Sequence, residues 1–235
     1  MNKQLSRLLR PVQVSQVCEI NDRMKRVYLK GESVTAFHDA LPAAWVKVFF
    51  TPPGEPEGPG RAYTIRNIAR TENTMALDIV QHGESPAATW SRCAQPGEII
   101  RVAGPREGVS VQGVRSLLLF GDETAIPGMF AILEALDVGS SVKVFIHTEQ
   151  DADYELPHCR ASLSVTWLQK QADIADHVLA WALESSPEMI WGAGEHGIML
   201  PIRKCLFREL GRTRADTSIT AYWKNGEADH RDSTD

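Results

Sequence analysis

Apolar residues recur at period two in Val12–Cys18 and again in Met24–Leu29, the pattern of a strand with one buried face. Trp45–Phe50 predicts a third strand, and Ala62–Arg66, Met75–Val80 and Ile99–Ala103 predict three more. Thr51–Gly60 breaks the pattern. Its prolines and glycines suit neither a helix nor a central strand, so it reads as a loop. Short strands with turn signals between them predict a small barrel.

The rhythm changes near Val111-Gln112-Gly113. Ser116–Phe120 is a continuous apolar run ending at Gly121, as expected of a strand buried on both faces. Ile126, Met129, Phe130, Leu133 and Leu136 then recur at helical spacing, with Gly139 as the stop. Val142–Ile146, Ser164–Leu168 and Glu188–Trp191 read as strands, and a helical stretch fills the chain to about Glu184. Pro201–Leu210 reads as a helix closed by Gly211, and Thr217–Trp223 as a last strand. Strands alternating with helices imply a parallel sheet. The expected fold is an antiparallel barrel over residues 1–112, followed by a parallel-sheet α/β domain over residues 113–235.

Charge and cysteine usage narrow the class. The net charge of −5 carries neither a nucleic-acid footprint nor a polybasic membrane patch. No apolar run approaches the roughly 20 residues of a membrane helix. Met1–Arg7 leads into Arg10-Pro11 rather than an apolar stretch, so no signal peptide is expected. Cys18, Cys93, Cys159 and Cys205 are widely spaced with no C-x-x-C pair, which speaks against zinc or iron–sulfur ligation and for reduced thiols in the cytoplasm. His158 adjoins Cys159, but no further ligand has metal-site spacing, and His147 reads as a strand-end residue. No metal site is expected, and no G-x-S-x-G or other nucleophile signature supports hydrolase chemistry.

The strongest chemical signal is Arg61-Ala62-Tyr63-Thr64-Ile65-Arg66. On a strand Arg61 and Tyr63 share a face and Thr64 takes the other. A flavin diphosphate needs a guanidinium, and an isoalloxazine needs an aromatic wall and a donor near its reactive nitrogen. Alone, this segment reads first as a half-exposed edge strand. Its context is Asp78-Ile79-Val80-Gln81-His82-Gly83, then Pro86–Trp90, Pro96-Gly97-Glu98 and Gly104-Pro105-Arg106. Pro86–Trp90 can open a short helix whose free N–H groups would cradle a pyrophosphate. Further on stand Gly121-Asp122-Glu123-Thr124-Ala125-Ile126-Pro127, Ala193-Gly194-Glu195 and Ala221-Tyr222-Trp223-Lys224-Asn225-Gly226.

This ordered set, from about Val14 to Gly226, resembles the siderophore-interacting (ferric-siderophore reductase) branch of the ferredoxin-reductase-like flavoproteins. The resemblance implies FAD held by Arg61, Tyr63, Thr64, Ile65, Asp78, Val80, His82, Ala87, Ala88, Thr89, Trp90, Asp122 and Thr124. It implies NAD(P)H beside Ala193, Gly194 and Glu195, and a ferric siderophore met by Lys47, Lys224 and Arg66. The implied reaction reduces Fe(III) in the siderophore to Fe(II) with electrons from NAD(P)H or reduced ferredoxin. The flavin carries the electrons, no side chain is a catalytic acid or base, and the enzyme is expected to be a cytoplasmic monomer. Two features depart from the family pattern. Glu84-Ser85 stands where relatives often carry an added glycine and acid, and only about ten polar residues follow Lys224 where many have a longer C-terminal helix.

Alternatives remain open on the residues alone. Lys47 and Lys224 fit a solvated face as well as a cationic wall. Gly192-Ala193-Gly194-Glu195-His196-Gly197 spells G-x-G-x-x-G, but it follows the fourth strand of its domain, and Asp216 precedes the last strand. A dinucleotide fingerprint needs the first strand, and an acid at a strand's C-terminal end. A tight turn at the sheet edge, bordering a nicotinamide, is the expectation. The rival functions are another FAD- and NAD(P)H-dependent oxidoreductase of the superfamily, or a non-catalytic siderophore-binding protein.

Overall fold

Six strands close the first unit into a barrel: β1 (Arg10–Asn21), β2 (Met24–Lys30), β3 (Trp45–Phe49), β4 (Arg61–Ala69), β5 (Thr74–Val80) and β6 (Ile99–Arg106). Their order around the barrel is β1-β2-β5-β4-β3-β6, with every neighbouring pair antiparallel. The computed structural model describes residues 8–51, 54, 58–81, 83, 85–149, 153–227, 230 and 232. The chain divides into Met1–Ser110 and Val111–Asp235.

Alternation fills the barrel: Val12, Val14, Val27, Leu29, Val46, Val48, Met75, Leu77, Ile100 and Val102 form one buried cluster. A 3-10 turn, Glu32–Phe37, adds Val34 and Phe37 to it. Of the register shifts around the barrel, two bear directly on the alternation of buried residues. The β1–β2 register shifts between Val14 and Gln16, which lets Val17 follow Val14 out of phase. The β4–β5 register shifts between Ile65 and Asn67, so Thr64, Ile65 and Arg66 are buried in succession. Arg26 on β2 and Asp78 on β5 are register partners, and they form a bidentate pair at 2.6 and 2.8 Å. The Asp78 hydrogen bond holds the Arg26 guanidinium above its ordinary pKa, against the burial that lowers it.

The second unit is a parallel sheet of β7 (Ser116–Gly121), β8 (Ser141–His147), β9 (Ser162–Leu168), β10 (Met189–Glu195) and β11 (Thr217–Trp223), in the order β11-β10-β7-β8-β9. α1 (Pro86–Cys93) belongs to the barrel unit, while α2 (Ile126–Ala135), α3 (Asp173–Ser185) and α4 (His196–Arg208) cover the sheet. Leu117 to Phe120 on the central strand are all fully buried, as a two-sided core requires. Leu118 and Phe120 pack with Ile174 and Val178 of α3 and with Met199 and Ile202 of α4.

Two helix boundaries correct the sequence reading. α4 starts at His196 rather than at Pro201, because Glu195 Oε2 accepts from the Ile198 amide and caps the helix five residues earlier. Pro201 then lies inside the helix and not at its first turn. α2 ends at Ala135 with an extended Leu136, and Gly139 belongs to the turn into β8 instead of closing the helix. Among the described residues no helix is long and apolar enough to cross a membrane. All four cysteines are free thiols.

Phe120 and Gly192 are register partners on β7 and β10, and a Cβ on Gly192 would stand 2.3 Å from the Phe120 ring. Gly192→Ala should therefore cost about 1–3 kcal/mol of stability through overpacking. Denaturant unfolding of the variant against the wild type measures this, and a change below about 0.5 kcal/mol would mean that the ring yields without strain.

Candidate functional site

Two clusters gather the residues singled out above, one in each unit. In the barrel, Arg61 opposes Val48 and Tyr63 opposes Val46, while Ala62 opposes Lys47 and Thr64 opposes Trp45. Directly opposed residues share a face, so Tyr63 lies on the side of the buried valines and Lys47 on the side of Thr64. Tyr63 packs against the barrel core, and burial pushes its phenol up to about 12 while nearby Arg61 pulls the other way. The Arg61 guanidinium hydrogen-bonds its neighbour's carbonyl, Gly60 O, at 3.3 Å.

Phe50 links this strand to α1. Its ring meets Tyr63 edge-on at 6.5 Å and Trp90 at 4.8 Å, which makes a row of three aromatic rings. Trp90 is fixed in turn by Glu98, whose Oε1 accepts from the indole N–H at 2.6 Å. In the sequence Phe50 only ended a strand. Its aromatic character and its place before the Pro/Gly loop were visible, but nothing local told of the partners on either side.

The start of α1 leaves fewer free donors than a bare helix N-terminus. Pro86 at the first position has no N–H. The Ala88 amide is taken by Ser85 Oγ at 3.2 Å, and that of Thr89 by Ser85 O at 2.9 Å. Among the described residues the Ala87 amide alone of this turn has no acceptor. Ala87 and Ala88 are buried and Thr89 is exposed. Arg92 braces the approach to the helix, donating to Gly83 O at 3.3 Å and to Thr89 Oγ1 at 3.3 Å. Val80 is half-buried, and Asp78 offers a carboxylate already occupied by Arg26. His82 lies outside the described residues.

In the α/β unit, Asp122 stands just past the end of β7 and is buried. Its Oδ1 accepts from the Thr124 amide at 2.9 Å and from the Thr124 hydroxyl at 2.5 Å. Its Oδ2 accepts from the Glu195 amide at 2.9 Å, the Trp223 indole at 2.9 Å and the Gln171 amide group at 3.2 Å. Burial pushes the Asp122 carboxyl up from the ordinary carboxylate range, and the hydrogen bonds from Thr124, Trp223 and the Glu195 amide oppose that. Gly194 makes room for the carboxylate, since a Cβ there would lie 2.6 Å from Asp122 Oδ2. Glu195 divides its own carboxylate between the Ile198 amide and the Asn225 amide, each at 3.2 Å.

Three motifs far apart in the sequence thus meet in one hydrogen-bonded knot at the C-terminal ends of β7, β10 and β11. Ala193 is fully buried beside it. Sequence reasoning marked Asp122, Thr124, Gly194 and Glu195 but missed Gln171 and the indole of Trp223. The Y-W-K-N-G string held the signal for Trp223, and nothing local marked Gln171. Lys224 follows directly, its ammonium 2.7 Å from Glu227 Oε2. Both members of this pair are more than two-fifths exposed. The carboxyl of Glu227 is held below the usual range by the Lys224 hydrogen bond and then by His230. Arg66 is buried at the β4 bulge.

A closed antiparallel barrel followed by a parallel α/β sheet is the fold of the ferredoxin-reductase-like proteins. Residues 51–109 match the siderophore-interacting FAD-binding domain, and residues 114–226 match the family described as siderophore-interacting protein. The chain belongs to the siderophore-interacting protein family. It is similar to the ferric vibriobactin reductase ViuB of Vibrio cholerae, at 27% identity over 88% of this chain and 86% of that protein. The mycobactin import ATP-binding/permease protein IrtA of Mycobacterium tuberculosis is 30% identical over 86% of this chain, which spans only 25% of IrtA's length. A solved siderophore utilization protein from T. fusca aligns over 95% of both chains with 27% identity and a TM-score of 0.81.

Replacing the Asp122 carboxylate tests the knot. In Asp122→Asn one oxygen becomes an NH2 group that faces only donors. Stability should fall by about 1–3 kcal/mol, with a shift in Trp223 fluorescence. A variant as stable as the wild type, with unchanged emission, would show that the carboxylate is not what holds these strand ends together.

Proposed function

We propose that this chain is an FAD-dependent ferric-siderophore reductase that frees iron by reducing Fe(III) to Fe(II). The observation that carries the reading is Arg61 with the Tyr63–Phe50–Trp90 row, beside a helix start whose Ala87 amide has no acceptor among the described residues, all within or beside the matched FAD-binding segment. These residues suit the cofactor: a guanidinium and an amide at a helix start fit a diphosphate, and aromatic side chains fit as walls for a flat ring system. When bound, FAD would supply the one-electron chemistry of the reaction. The name of the Vibrio relative, a ferric vibriobactin reductase, supports the substrate class.

The protein's part is binding and orientation. Arg61 anchors the phosphate end, Tyr63 walls the ring, and Thr64 on the opposite face of β4 supplies a hydroxyl and an amide. Siderophores hold iron with hard oxygen donors, which bind Fe(III) far better than Fe(II), so one electron releases the metal and leaves the chelator intact. No protein acid or base is required for that step. Lys47, Lys224 and Arg66 are the cations we assign to the chelate. The ion pair of Lys224 with Glu227 is solvent-exposed and contributes little, so an anionic ligand can draw the lysine away. We take NAD(P)H as the electron donor, because the C-terminal edge of a parallel sheet is where such folds bind nucleotides and Ala193-Gly194-Glu195 lies there. The free thiols accord with a cytoplasmic site of action.

Purified protein should show flavin absorbance that bleaches on anaerobic addition of NADPH and returns when a ferric siderophore is added. A colourless protein that binds the chelate would make it a carrier. Bleaching only with reduced ferredoxin would replace the donor. Arg61→Ala should lose most of the flavin while keeping its fold, since a charge-assisted phosphate contact contributes about 1.5–3 kcal/mol. A variant as yellow as the wild type would free Arg61 of that role. Lys47→Ala and Lys224→Ala should each raise KM for an anionic catecholate complex about tenfold, or ~1.4 kcal/mol. Their flavin content should not change, and unchanged KM at low salt would return both lysines to the solvated surface.

A further inference from the structure

The described residues beyond β11 return to α4. Asp232 is gripped there by Arg203, with Nη1 2.6 Å from Oδ2 and Nη2 3.1 Å from Oδ1, and Oδ2 also accepts from the Ala221 amide at 2.8 Å. This docking brings His230 against His196, the first residue of α4, with ring centroids 4.9 Å apart at 70°. His230 Nδ1 lies 3.1 Å from Glu227 Oε1. The ring nitrogen that faces a carboxylate carries the proton, which leaves the lone pair on Nε2. That Nε2 is buried without a hydrogen-bond partner, and so is Nδ1 of His196. The His230 side chain is only 7% exposed, so water does not satisfy it from outside. Ligand atoms of His196, His230 and Asp232 lie within 4.8 Å of one another.

We propose that His196, His230 and Asp232 form a binding site for a divalent first-row transition metal. Two imidazoles and one carboxylate, with further positions open to water, are a donor set suited to ions of this series. Glu227 plays the outer part that such sites use, orienting His230 through its second ring nitrogen. Donors around an ion at bond lengths near 2.1 Å stand about 3.0–3.4 Å apart, so side-chain rotation must draw these atoms together. Arg203 on Asp232 and the positive end of α4 both work against a cation. The site should accordingly bind far more weakly than a structural zinc site. Occupancy would pin the C-terminal residues to α4 and β11, where Asp232 already holds the Ala221 amide.

The test uses flavin-loaded, untagged full-length protein, stripped with a chelator and titrated with Co(II). The expected result is saturable binding of one equivalent, with the visible bands of a nitrogen-ligated cobalt ion and a rise in melting temperature. His230→Ala and His196→Gln should each weaken binding at least about tenfold, with near-UV spectra and flavin content like the wild type's. His158→Ala, which alters an exposed histidine elsewhere in the same unit, should bind as the wild type does. No saturable binding below about 1 mM (a free energy weaker than roughly −4 kcal/mol) would overturn the proposal. So would equal affinity in the His196 and His230 variants.

Discussion

The α/β unit turns on one buried carboxylate. Three parallel strands end side by side at β7, β10 and β11, and each leaves polar groups with no further strand to pair with. Asp122 collects donors from two of these ends, the amide of Glu195 and the indole of Trp223, and adds those of Thr124 and Gln171. A buried acid surrounded only by donors is well satisfied as an anion and poorly satisfied by any neutral replacement. The knot explains why glycine stands at position 194, where any side chain would collide with the carboxylate. It also explains why Glu195 cannot be read simply as a ligand for a nucleotide. Its amide belongs to Asp122, and its carboxylate is divided between α4 and the turn that carries Lys224.

The barrel cluster is put together differently. Its aromatic row is held by shape rather than by hydrogen bonds, apart from the Trp90–Glu98 contact. The capping of α1 by Ser85 and Pro86 spends most of the amides that a bare helix end would offer. Arg92 stands over that turn, donating to Gly83 O and Thr89 Oγ1. The acid in the same motif, Asp78, is held by Arg26 and contributes to the closure of the barrel between β2 and β5.

Much of this architecture was legible in the residues, and the failures have physical causes. The order of strands and helices followed from period two giving way to helical spacing around residue 113. The motifs that carry the family resemblance pointed to Arg61, Tyr63, Asp122 and Glu195. The bulge beside Arg66 was not legible, because a single extra residue only shifts the phase of an alternation and leaves its composition alone. The start of α4 was misplaced because proline is a strong helix-start signal, whereas glutamate is an uncommon cap that succeeds here through its own geometry. Phe50, Gln171 and the pairing of His196 with His230 depend on residues distant in the chain, and local spacing holds no trace of them.

The Phe120 ring lying across Gly192 has a consequence for how glycine strings are interpreted. Here the three glycines of G-x-G-x-x-G each meet a contact inside the fold: the Phe120 ring on the neighbouring strand, the Asp122 carboxylate, and the Glu195 carboxylate that caps α4. Each of these contacts lies within the protein itself, so the spelling needs no pyrophosphate to account for it. Homologues that carry a small residue at position 120 would be free to lose Gly192, and those that keep the aromatic would not. Covariation between these two positions would therefore distinguish a packing string from a coenzyme fingerprint of identical spelling.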